Sequence, residues 1–464
     1  MDPDAWAVEE FVAAELGDSR RTARLLDLAT ALARHPSRSL PHACADEAQL
    51  DAAYRFFDNP HITPAALLQP HIHATWDRCA AHALILAPQD TTLLDYSHHP
   101  ATTGLGPLAT PTQQGLLVHS TLAFTPARVP LGLLAQATWA RAPAPAGKRA
   151  QRRSLPLAEK ESHKWLTSLA AVNAAAAACP QTHFISIGDR EADVYDLFLA
   201  TRAPTVDLVV RAAWDRRTSG EQPRLGASMA AVPVQTTLTL AVPRRGAQAA
   251  RTATLTVRWR SVTLRPPKHR TREQLADVRV SAVWAVETTP PGGVAAVEWR
   301  LLTSCAVPDE GTALAGLGWY AARWGIEVWH KVLKSGCRIE ARQLSSGARL
   351  ERALALYSVI AWRIVYTTLL AREQPELPCS AVLAADEWAA LYGTVHPGAA
   401  VPRAVPSLRQ AVRWIAQLGG FVGRVGDGEP GGMVLWRGWQ RLMDLTQMYR
   451  ILRPPVRTNV LRKD

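Results

Sequence analysis

Apolar residues recur at helical spacing through FVAAELGDSRRTARLLDLATALARHP and through DEAQLDAAYRFFDNP, and each run stops at a proline break. Residues 1 to about 75 are therefore predicted to be helical. The pattern then changes. HALILAPQDTTLLDY is an apolar run of strand character, expected to end at Asp90, and VHSTLAFTP and VPLGLLAQATW follow at hairpin spacing. EKESHKWLTSLAAVNAAAAAC returns to helical spacing, and HFISIGDREADVYDLFLATR switches from strand to helix at Gly188-Asp189. With VDLVVRAA as a further strand, the order predicts a mixed α/β sheet.

From about 215 to 303 the runs VQTTLTLAV, TATLTVRWRSVTL, VRVSAVWAV and EWRLLTS are short, rich in β-branched residues and separated by Pro, Gly and Arg clusters. They predict an antiparallel insertion ahead of a further helix. After Pro378 helices resume, with a break expected at residues 426–432 and a basic loop earlier at 147–154. The expected organisation is a helical domain at 1–75, an α/β domain at 76–375 with its insertion, and a helical domain at 376–464.

Charge narrows the partners. The 464 residues carry 52 Lys and Arg against 40 Asp and Glu, a net charge of +12, which favours a polyanion. The start, MDPDAWAVEEF, is acidic where a signal peptide would be basic. The longest membrane candidate, AAVNAAAAAC, is too short to span a bilayer. Double-stranded DNA becomes the favoured partner, and no membrane is expected. Arg20, Arg21, Arg24 and Arg34 on the first long helix are either a solvated face or contacts to phosphate. The six cysteines are scattered without a CxxC pair, which argues against zinc or a disulfide framework and suits a reducing cytoplasm.

The candidate chemistry lies in YAARWGIEVWHKVLKSG, residues 320–336. As one helix at roughly 100° per residue, it places Tyr320, Arg323, Glu327 and Lys334 within about 60° of arc. Asp90 and Asp189 are each expected where a strand ends. Either alone could be a turn or cap residue. Converging with Glu327, they could hold two Mg²⁺ or Mn²⁺ ions, since oxygen-only ligation favours hard cations. Two-metal sites suit phosphodiester chemistry, and Arg323 and Lys334 would then clamp the flanking phosphates while Tyr320 donates to another.

The spacing Y-x2-R-x3-E-x6-K resembles the signature of the insertion-sequence-four family of DDE transposases. LGDSRRTAR and AYRFFDNP resemble that family's N-terminal DNA-binding module, and QDTTLLDY and GDREADVYD its aspartate motifs. KESHKW and EWRLLTS also match, while IAQLGGFVGR and LWRGWQRL resemble its C-terminal dimerisation region. The likeness implies a ribonuclease-H-like core and a catalytic triad of Asp90, Asp189 and Glu327. It implies cut-and-paste chemistry through a DNA hairpin, by a homodimer in the synaptic complex. It further implies that Trp299 stacks on a flipped base and that Arg211 lies near the terminal phosphates. A non-cutting relic that occupies DNA ends and a nuclease that never joins strands are the rival readings. Leu408, Val412, Ile415 and Leu418 form an apolar stripe that is either a dimer interface or core packing.

Overall fold

The computed structural model describes residues 5–110, 112–142, 159–242, 249–424, 428–430 and 432–452. The basic loop expected at 147–154 lies outside the described residues, as does part of the break at 426–432. Five helices open the chain: α1 (Ala5–Phe11), α2 (Ser19–Arg34), α3 (Leu40–Ala43), α4 (Glu47–Asp58) and α5 (Pro64–Ala80). Strands β1 (Leu84–Asp95), β2 (Gly106–Pro107), β3 (Gln114–Phe124) and β4 (Pro130–Trp139) precede α6 (His163–Ala178). Then come β5 (His183–Gly188), α7 (Tyr195–Leu199), β6 (Val206–Arg211), α8 (Leu225–Ala230), β7 (Thr236–Val242), β8 (Arg251–Leu264), β9 (Val278–Glu287) and β10 (Glu298–Thr303). The rest is helical: α9 (Glu310–Ala322), α10 (Trp324–Lys331), α11 (Gly347–Glu373), α12 (Ala385–Val395), α13 (Leu408–Leu418) and α14 (Gly432–Leu452).

The strands form one ten-stranded mixed sheet in the order β2-β3-β1-β5-β6-β10-β9-β8-β7, with β4 paired to β3. This is the α/β class expected, and it is consistent with a ribonuclease-H-like transposase. β1 and β6 both pair β5 in parallel, whereas β10 pairs antiparallel with β6 and with β9. The β-rich segment is thus no separate layer. EWRLLTS joins it edge to edge to the central sheet.

The chain divides into two compact units: residues 1–74, 93–116 and 328–464 form one, and residues 75–92 and 117–327 the other. In the second, α6 lays Trp165, Leu169 and Val172 into a core with Ile85, Phe184 and Leu208 of three parallel strands. In the first, α11 is the central helix, packing against α2, α4, α13 and α14. This helix corrects the expectation that no apolar run long enough to cross a membrane exists. It passes by length and composition, but 78% of its apolar window is buried inside the protein, so packing already uses that surface.

Two glycines explain the C-terminal motifs. A Cβ on Gly419 would lie 1.9 Å from the Val434 carbonyl oxygen, and one on Gly438 would lie 1.7 Å from that of Ile415. The backbones of α13 and α14 meet at this crossing. The stripe left open between a dimer interface and core packing is largely core: Leu408, Val412 and Ile415 are buried within the chain and Leu418 is half-buried, while Met448, Ile451 and Leu452 on α14 are exposed.

Candidate active site

Register decides where the aspartates stand. The parallel ladder of β1 with β5 ends at the pair Pro88↔Ile187, and Asp90 and Asp189 each lie two residues beyond that pair. Contrary to expectation, Asp90 does not end its strand, because Thr91 to Asp95 continue β1 as a neighbour of β3. It ends only the β5 side. Asp189 follows Gly188, where a Cβ would come 2.3 Å from that of Ala192. Glycine therefore permits the tight turn that follows. One Asp189 oxygen caps that turn, accepting from the Glu191 N–H at 2.8 Å, so its capping and functional readings coexist.

Glu327 lies in the first turn of α10. The predicted single helix is broken just before it. The Arg323 N–H bonds to the Tyr320 carbonyl, and the Ile326 N–H to that of Arg323; these i+3 bonds tighten the chain between α9 and α10. Beyond Lys331 the helix widens into a π turn, Val332–Gly336, closed by the Cys337 N–H on the Val332 carbonyl at 2.7 Å. Lys334 therefore leaves the α-helical row.

Gly325 also finds its reason. A Cβ there would lie 2.6 Å from the ring of Phe124 at the end of β3, and Phe124 is fully buried. The glycine lets the Glu327 helix approach the sheet. Phe124 was missed in sequence, where only the cost of a helical glycine signalled a close neighbour.

Arg323 is the electrostatic centre. Buried, it forms an ion pair with Glu327 and lies 3.7 Å from Asp90 Oδ2. Burial opposes its charge, yet Tyr320, Asp90 and Glu327 outweigh that and raise its pKa. Its Nε has no hydrogen-bond partner. Asp90 is pushed up to about 6, first by burial, with the charges of Asp189 and Glu327 adding and Arg323 opposing. Asp90 thus feels the charges of both other carboxylates. Even so, among the described residues no three His, Cys, Asp or Glu side chains are gathered closely enough to hold an ion. Asp90, Asp189 and Glu327 nevertheless offer the hard oxygen donors that a divalent cation takes.

The remaining expected residues fall in two places. Trp299 on β10 is half-buried and meets Tyr320 edge-to-face, with ring centroids 5.7 Å apart. Tyr320 is only 3% exposed. It supports the tryptophan from behind. Arg211 donates to the Glu298 carbonyl at 2.7 Å, steadying the residue before Trp299. Lys334 donates to the Leu93 carbonyl at 2.8 Å and pairs with Glu340 at 3.1 Å; Glu340 was not foreseen.

On α2, Arg20 pairs with Asp18, the N-cap. Arg21 donates to the Leu16 carbonyl, and Arg24 lies 3.8 Å from Asp27. None of the three is a bare solvated cation. Residues 3–62 match the family described as Transposase DNA-binding, and residues 359–457 match the one described as Transposase Tn5 dimerisation domain. With one match before the sheet and the other after it, the two together support a Tn5-like transposase of the insertion-sequence-four family.

Proposed function

We propose that the protein cuts and pastes DNA as a homodimer, with Asp90, Asp189 and Glu327 holding two Mg²⁺ ions, for which Mn²⁺ substitutes. The observation that carries this reading is the level placement of the two aspartates beyond one ladder, with Arg323 linking Asp90 to Glu327. When bound, such ions activate the attacking oxygen and stabilise the leaving one.

The chain's own residues do the rest. Arg323 is shared between two carboxylates before DNA arrives. With those carboxylates engaged by cations, its guanidinium fork turns to the phosphates beside the bond being cut. Lys334 exchanges Glu340 for a phosphate. Trp299, backed by Tyr320, takes the base extruded when the freed 3′-hydroxyl attacks the opposite strand to form a hairpin, and Arg211 holds the strand that carries it. The α2 arginines position the transposon ends, and the exposed end of α14 joins two protomers. Acting on chromosomal DNA, the protein works in the cytoplasm.

The test is to incubate the full chain with the terminal sequences flanking its own gene and Mg²⁺, then sequence the products. Hairpin ends and joined target DNA are expected. Binding without cutting would establish the relic reading, and cutting without joining the nuclease reading.

A further inference from the structure

Within the first unit, a cleft of about 600 Å³ lies among three segments far apart in sequence. They are the end of α2 with the loop after it, the turn following Lys334, and the middle of α14. Its lining carries Arg34, Arg38, Arg338, Arg437 and Arg441, with His35, against one carboxylate, Asp444. All five arginines are exposed. Among the described residues no carboxylate pairs with Arg38, Arg338 or Arg437, and Asp444 lies 3.9 Å from His35. Five cations crowded into one cleft repel one another unless something anionic sits between them.

The walls are fixed before any ligand arrives. Buried Arg342 donates to the carbonyls of Pro36, Arg38 and Cys337, tying the α2 loop to the turn that carries Arg338. Its guanidinium stacks over Tyr357, 4.5 Å from the ring centroid. Gln440 of α14 donates to the Ser37 hydroxyl, fastening the third wall. Arg338 itself sits at φ 50°, in the left-handed region. Glycine would adopt that conformation at lower cost, and an arginine there is the kind of outlier that clusters at functional sites.

We infer that this cleft binds the phosphodiester backbone of duplex DNA, as a contact track at the end of α2 away from Arg20, Arg21 and Arg24. Guanidinium forks match phosphate oxygens in pairs. Such contacts add affinity without reading bases. The inference rests on the reading of the chain as a DNA-acting transposase, and it adds a backbone site reached through the N-terminal module and the dimerisation domain together.

The full-length Arg338→Ala/Arg437→Ala variant tests it, using fluorescence anisotropy on two labelled duplexes, one from the flank of the gene and one of unrelated sequence. Each lost phosphate contact lowers the log–log salt slope by about 0.9, so a flattening of about 1.8 is expected on both duplexes. The Arg338→Lys/Arg437→Lys variant should keep the slope, and the melting temperature of both variants should match the parent. An unchanged slope in the alanine variant, with the parent binding normally, overturns the inference. So does a changed slope accompanied by altered self-association without DNA, which would make the cleft a contact between copies. A parent that cuts no DNA in Mg²⁺ yet shows the arginine-dependent slope removes the transposase reading and leaves this site assigned.

Discussion

Arg323 and Arg338 stand fifteen residues apart and illustrate two ways of using the same side chain. The first is buried among carboxylates, with Glu327 and Asp90 beside it. The second is exposed, strained in its backbone and without a carboxylate partner. In the carboxylate site Arg323 is already paired inside the protein, so a phosphate that reaches it would have to displace an existing pair. In the arginine cleft Arg38, Arg338 and Arg437 pair with no carboxylate among the described residues, so a polyanion meets little competition at those three. The contrast suggests that the carboxylate site governs rate and the cleft governs affinity, and each of the following experiments presses on that division.

The largest effect is expected at the carboxylates. Asp189→Ala should lower nicking at transposon ends by roughly a thousand-fold or more, equivalent to about 4 kcal/mol, with end binding nearly intact. Robust Mg²⁺-dependent cleavage by this variant would dissolve the division. Next comes Trp299→Ala. Nicking should stay near normal while hairpin formation falls about ten- to a hundred-fold, reflecting aromatic stacking of about 1–3 kcal/mol. Equal losses in both steps would make Trp299 a packing residue only.

Gly325→Ala addresses stability. The added methyl meets buried Phe124, and overpacking of this kind costs about 1–3 kcal/mol. Phe124→Leu in the same chain should recover part of that loss in chemical denaturation. Additive losses would mean that the ring does not set the helix position.

A smaller change is expected from replacing Arg20, Arg21 and Arg24 by alanine. Binding to transposon ends should weaken, with a salt slope flatter by about 0.9 for each phosphate contact removed. Unchanged affinity would reduce them to the local pairs seen with Asp18, Leu16 and Asp27. The smallest effect concerns Asp18, whose carboxyl is pushed down to about 2, chiefly by the Arg20 side chain. Since its folded pKa is depressed, its support for the α2 N-terminus is present above about 4 and is lost as pH falls through about 2. A carboxyl NMR titration with a midpoint near 4 would show that the cap is not held.

Much of the fold was legible because helical and strand periods are local. The strand order before residue 215, the β-rich segment and the terminal helices all follow from them. What failed depended on distant partners. Asp90 read as the end of an apolar strand run, but the neighbouring β3 carries β1 further. The row from Tyr320 to Lys334 read as one helix because no proline or cap interrupts it; i+3 bonds at Arg323 and the π turn at 332–336 break it instead. The stripe on α13 could not be assigned to an interface or a core until α14 was seen against it. The arginine cleft was illegible for the same reason, since its members come from three segments spread along the chain.

The crossing of α13 and α14 has a consequence for descent. IAQLGGFVGR and LWRGWQRL look like two separate signatures, yet Gly419 and Gly438 are two sides of a single backbone approach. Neither position can drift alone, because a side chain on one strikes the carbonyl that the other brings near. Relatives that keep this packing should inherit the two glycines as one character, gained or lost together across the stretch of chain between them.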